Sequence, residues 1–95
     1  MKVGLSRAAG RDLDEIYTYT LNRWGSAQAD QYLRSFEPLF RKLGSDPALG
    51  ALTDIREGYR KLRHREHLIF YRILPGWVEI VRILHPRMDV SRHLA

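Results

Sequence analysis

The stretch GYRKLRHREHLIFYRILPGWVEIVRILH, residues 58–85, decides how this chain folds. Within it, segments 59–65, 67–74 and 77–85 are rich in aromatic and β-branched residues, the composition of extended strands. A short Arg-Glu-His link parts the first two, and Pro75-Gly76 parts the last two. Pro75 pre-sets the φ of the first central turn position and Gly76 accepts the positive φ of the second, so this pair specifies a tight reversal. Three strands joined this closely form an antiparallel meander. Ile69-Phe70-Tyr71 and Ile80-Val81 are apolar on successive residues, which predicts strands covered on both faces or central in the sheet. Residues 59–65 alternate with charge and predict a more exposed neighbour.

Upstream of residue 58 the hydrophobic period changes. Lys2-Val3-Gly4-Leu5 alternates as a brief strand does, and Ser6 is placed as a helix N-cap. Ala9, Leu13, Ile16, Tyr17, Thr20 and Trp24 then fall on one helical stripe, with Asp12, Asp14, Glu15 and Arg23 expected to face away. Gly25 ends that helix and Ser26 starts another, whose stripe is Ala29, Tyr32, Leu33, Phe36, Phe40 and Leu43. A link this short predicts an antiparallel helical hairpin. Pro38 lacks the N–H that would bond the Arg34 carbonyl, so a kink or break is expected there. Residues 44–58 carry no clear period and are expected to form a loop, with room for a helical turn around 51–55. The expected fold class is α+β: a short N-terminal strand, a helical hairpin, a three-stranded meander in one sheet with the helices on one face, and a short C-terminal helical turn.

At 95 residues the chain fits one domain, 1–95, since two cores cannot be cut from so short a sequence. Its composition, 44% hydrophobic and 28% charged, is that of a globular domain rather than a disordered one. No segment approaches the about 18 apolar residues of a membrane span, and Met1 to Ser6 leads directly into a helical pattern, so no membrane partner and a cytoplasmic location are expected. There is no cysteine, which excludes disulfides, thiolate metal sites and cysteine nucleophiles. The net charge is +5. Residues 1–47 hold seven basic and six acidic side chains, whereas residues 48–95 hold nine and five. Eight of those nine are arginines, whose planar forks suit carboxylates and phosphates, so an acidic partner is expected.

Four histidines invite a metal, but His64, His67, His85 and His93 fit no ligand spacing, and no metal or other cofactor is expected. No glycine-rich phosphate loop and no Gly-x-Ser-x-Gly elbow is present. RNA cleavage without a metal needs a base, cations for the phosphate and an acid for the leaving oxygen. Arg72, Arg82 and His85 lie on adjacent predicted strands and meet one phosphate if their faces agree, with Glu66 or Glu79 as base. The plainer alternative pairs Arg72 and Arg82 with Glu79 or with helix acids and leaves His85 a hydrogen-bonded residue at a strand end.

Arg82 to Asp89 (Arg-Ile-Leu-His-Pro-Arg-Met-Asp), preceded by His67 to Arg72, by Gly58-Tyr59-Arg60 and by Asp46-Pro47 to Gly50, resembles the ParE branch of the RelE/ParE toxin superfamily. Leu5-Ser6, Asp12-Leu13 to Ile16, Tyr19-Thr20, Trp24-Gly25 and Gln28-Ala29 to Tyr32 extend the likeness over nearly the whole chain. The resemblance implies the toxin of a bacterial type II toxin–antitoxin pair. RelE-like members are ribosome-dependent ribonucleases; ParE-like members are associated with inhibition of DNA gyrase. Pro86 follows His85 and no tyrosine follows Tyr71, so the late aromatic acid or base of the nucleases is missing.

The resemblance therefore implies a gyrase inhibitor that acts by binding, with Arg82, His85, Arg87, Met88, Asp89 and Arg92 at the target and Leu94 presented beside them. It further implies neutralisation by an acidic ParD-like antitoxin, to which we assign Tyr17, Trp24, Tyr32, Arg60 and Arg63, although the aromatic residues also lie on core stripes. Operator DNA is then reached through the antitoxin. The alternatives are a ribosome-dependent endoribonuclease built on Arg72, Arg82 and His85, and an inactive remnant that binds its antitoxin as co-repressor.

Overall fold

Ser6 opens the helical half as the sequence predicts: in the computed structural model, which describes residues 1–94, its hydroxyl accepts from Ala9 N at 2.9 Å and caps helix α1, Arg7–Trp24. Strand β1, Lys2–Leu5, precedes it. Helix α2, Ser26–Arg34, follows after Gly25, and α3, Phe36–Ser45, completes the helical layer. The break between α2 and α3 falls at Ser35, not at Pro38. Pro38 is the third residue of α3, in the first turn, where backbone N–H groups have no helical partner and a missing donor costs nothing. Ser35 ends α2 by donating its hydroxyl to the Tyr32 carbonyl.

The predicted meander is present as β3, Tyr59–His64, β4, His67–Leu74, and β5, Trp77–Leu84. Gly76 has φ +83°, as the Pro-Gly turn requires. The sheet has five strands, in the order β1-β5-β4-β3-β2: the predicted N-terminal strand adds in parallel to β5, and a strand not predicted, β2, Ala51–Leu52, adds antiparallel to β3. Residues 51–52 are therefore extended where a helical turn was allowed, and a turn of 3-10 helix lies earlier, at Pro47–Leu49. Tyr71 fixes that loop: its buried hydroxyl accepts from Gly50 N at 2.7 Å and donates to Pro47 O at 2.8 Å. A Cβ on Gly50 would stand 2.6 Å from Lys61 O, so no larger residue fits there.

The sheet is covered on both faces, one of the two readings that its runs of successive apolar residues left open. On one face Ile69, Tyr71, Val78, Ile80 and Ile83 pack against Ala9 and Ile16 of α1 and Phe36 and Leu43 of α3. On the other, Tyr59, Phe70 and Leu84 pack against Leu94 and Val90 of the terminal helix α4, Val90–Leu94. Helices on one face alone would leave Phe70 and Leu84 in water, and α4 removes that cost. A bulge in β5 reconciles the faces: Phe70 pairs with Arg82 and Tyr71 with Ile80, so Val81 is the extra residue and Ile83 returns to the face of Ile80.

Beyond Leu5 the edge of β5 loses its β1 partner. Ser6 takes over, donating its N–H to Ile80 O at 2.9 Å and its hydroxyl to Val81 O at 2.7 Å. Asp12 follows, accepting from Ile83 N at 2.9 Å. The expectation that Asp12 faces away is thus corrected; it is buried, because an unpaired strand edge needs an acceptor there.

Candidate functional site

The ends of α1, of α2, of the β3–β4 turn and of β5 meet around an open groove of about 860 Å³. Helix α1 supplies Glu15, Tyr19, Arg23 and Trp24, α2 supplies Gln28 and Tyr32, the turn supplies Arg65, Glu66 and His67, and the segment after β5 supplies His85, Arg87 and Met88. Trp24 is 64% and Tyr19 63% exposed. Trp24 was expected in the core; it is the last residue of α1 and stands largely in solvent. The Arg23 guanidinium stands between the Tyr19 and Trp24 rings, 6.0 and 5.8 Å from their centroids. Arg65 stands 5.8 Å over Tyr32.

Tyr32, His67 and His85 line the groove, and the His64 ring lies 6.2 Å from that of Tyr32. Burial raises the pKa of Tyr32, which keeps its hydroxyl protonated and able to donate to His67 Nδ1 at 2.7 Å. The His67 and His85 rings meet edge to face at 5.8 Å. Burial first, and the neighbouring His85 second, lower the pKa of His67. Burial and then Arg65 lower that of His64. The Ser35 hydroxyl is committed to the Tyr32 carbonyl, so it accepts from His64 Nε2 at 2.8 Å. His85 Nδ1 accepts from Arg87 N at 3.1 Å. Each of these three rings thus has a structural partner, and among the described residues no three metal-ligating side chains converge.

The three residues of the nuclease alternative do not come together. Arg72 lies at the far end of the ladder from His85 and binds Glu79 at 2.8 Å. From the Arg72–Glu79 pair to Leu68–Leu84 is four residues of strand, about 13 Å. Arg82 grips Asp12 with two hydrogen bonds of 2.8 Å, and a third reaches the His93 carbonyl. The plainer alternative, in which acids take both guanidiniums, describes these contacts.

Of the expected target residues, His85, Arg87 and Met88 line the groove. Arg82 is held inside by Asp12, which raises its pKa through their hydrogen bonds, and Arg92 is exposed on α4. Asp89 precedes α4 and its carbonyl accepts from His93 N at 3.4 Å. Leu94, expected to be presented, is 3% exposed and belongs to the core beneath α4. Of the expected antitoxin residues, Trp24 and Tyr32 line the same groove as His85. Tyr17 donates to Asp30 at 3.0 Å and ties α1 to α2. Arg60 donates to Gly50 O at 2.7 Å and supports the loop. Arg63 lies on the α4 face of the sheet, away from the groove. Sequence reasoning left out Tyr19, Arg23, Arg65 and His67 as groove residues. Tyr19 and Arg23, four residues apart and beside Trp24, carried a signal for the first two, whereas nothing local marks His67.

This fold and groove define a small α+β protein with one open groove lined by aromatic rings and arginines. A family model described as the ParE toxin of the type II toxin–antitoxin system parDE matches residues 3–90, and the chain belongs to that family. Toxin ParE1 of Mycobacterium tuberculosis is 46% identical over 92 residues, covering 95% of this chain and 94% of that one. Toxin ParE1 of Caulobacter vibrioides is 40% identical over 91 residues with the same coverage. Toxin ParE of Escherichia coli is 34% identical over 97 residues, covering 96% and 90%. A solved structure titled as the chromosomal ParDE system from P. aeruginosa matches in fold, with a TM-score of 0.80 at 21% identity over 90% of this chain and 95% of that one.

Proposed function

We propose that this toxin acts in the cytoplasm by protein contact through the groove, that its target is DNA gyrase, and that an acidic ParD-like antitoxin neutralises it. The observation that carries the reading is the groove itself: exposed Trp24, Tyr19 and Met88 stand among Arg23, Arg65 and Arg87 in one concavity. Exposed aromatic and apolar side chains beside arginines are the composition of protein-binding hot spots. The dispersal of Arg72, Arg82 and His85 supports binding over catalysis. A poison of a multistep enzyme needs only to bind one state of the cycle better than the others. The antitoxin's acidic arm would be steered by the +5 charge and anchored on the groove's rings. Trp24 and Tyr32 on the one hand and His85, Arg87 and Met88 on the other share this groove, so the two partners would compete for it.

The test is expression of the chain without antitoxin, following DNA-damage signalling and filamentation beside bulk translation. Early damage signalling with translation intact is expected. Trp24→Ala combined with Arg87→Ala and Met88→Ala should abolish it, while His85→Ala leaves most of it. Prompt loss of translation with mRNA cut within codons would overturn the reading in favour of the nuclease, and no effect with a gyrase-sensitive host would favour the remnant. Deletion of the tail after Pro86 is not a clean test, because it removes the buried Leu94.

A further inference from the structure

On the face of the sheet opposite α1 and α3, strand β3 presents a row of cations that the groove does not use. Tyr59, Lys61 and Arg63 share this face, since their ladder partners are Arg72, Phe70 and Leu68. Arg56 lies over the Tyr59 ring at 5.1 Å and extends the row by one position. Arg56, Lys61 and Arg63 are exposed; Arg56 donates one N–H to Leu94 O and Arg63 its Nε–H to Arg65 O. Among the described residues none of the three has a carboxylate within ion-pair distance. The acid nearest in the ladder, Glu79, is already bound by Arg72. From Tyr59 to Arg63 the row covers about 13 Å of strand.

We propose that this face of β3 binds the phosphate backbone of double-stranded DNA directly. Charge decides against the groove for such a partner and in favour of β3: the groove sets Glu15 and Glu66 among its arginines, whereas the β3 row carries cations alone. One strand of duplex presents a phosphate about every 3.4 Å of helix axis, so the row faces about four of them. Stacking decides for a duplex over a single strand. Single-stranded nucleic acids are held by aromatic platforms, and the one ring in this row, Tyr59, is 6% exposed beneath Arg56 and Arg72. Cations on a rigid strand with no side chain aimed at base edges position a protein on the backbone without reading sequence. In a complex whose antitoxin sits on an operator, such contacts would add affinity without specificity, and they do not depend on what the groove binds.

The test is fluorescence anisotropy of the full chain with a labelled 20-base-pair duplex between 50 and 200 mM salt. Three phosphate contacts give a log–log slope of about −2.7, or about 40-fold weaker binding across that range. Lys61→Gln with Arg63→Gln should reduce the slope to about −0.9, and Lys61→Arg with Arg63→Lys should keep it near wild type. Arg7→Gln with Arg11→Gln, an equal loss of charge on the exposed side of α1, should leave it unchanged. Equal loss in that control would show an effect of net charge alone and overturn the proposal. So would tighter binding of a single-stranded oligonucleotide of the same length, or no salt-dependent binding at all.

Discussion

Asp12 ties α1 to the exposed edge of β5. Its two oxygens serve three donors: Arg82 Nε and Nη2, and Ile83 N. Removing it strands a largely buried guanidinium and an edge N–H together. Asp12→Ala is therefore expected to lose about 3 kcal/mol of stability, read as a lower urea midpoint, which is the cost of breaking a buried pair from one side. The sequence hid this residue for a physical reason. On the helical wheel of α1 it sits at the margin of the apolar stripe, and only the strand edge left bare beyond Leu5 turns that margin inward. Trp24 errs the other way: it has the stripe's period but, at the end of α1, stands in solvent.

At the level of elements, α4 has only five residues, too few to hold a helix by its own hydrogen bonds. It is fixed by Leu94 and Val90 in the second core and by Arg56 and Arg82, which donate to the carbonyls of Leu94 and His93. Leu94→Ala is expected to cost about 2 kcal/mol in chemical denaturation, whereas Met88→Ala, on an exposed side chain, is expected to leave stability within about 0.5 kcal/mol. The meander was legible because its strands are long and its Pro-Gly turn is specific. Strand β2 was not, because two residues carry no period and become a strand only through β3 beside them.

For the molecule as a whole, His64 and His67 link stability to pH. Both have folded-state pKa values lowered from 6.5, chiefly by burial, so the folded state takes up their protons later than the unfolded chain does. Their contribution is fully present above pH 6.5 and is lost as pH falls through the lowered values. Urea midpoints are expected to be flat from pH 8 to 7 and to decline below about 6.5, and His67→Gln should make the decline shallower. A midpoint that rises on acidification would contradict the burial of these rings.

The sequence by itself determined the α+β class, the order of strand, helices and meander, the capped start of α1 and the family, because each is written in local periods, caps and turns or in an ordered set of residues. The tertiary structure decided what depends on neighbours distant in the chain. It joined β1 to β5, turned Asp12 inward, sent α4 to the second face of the sheet and drew Trp24, Tyr32, His67 and His85 to one groove. Hydrophobic spacing says which side of an element is apolar; which residues overhang the sheet and stay in water depends on where the neighbouring strands end.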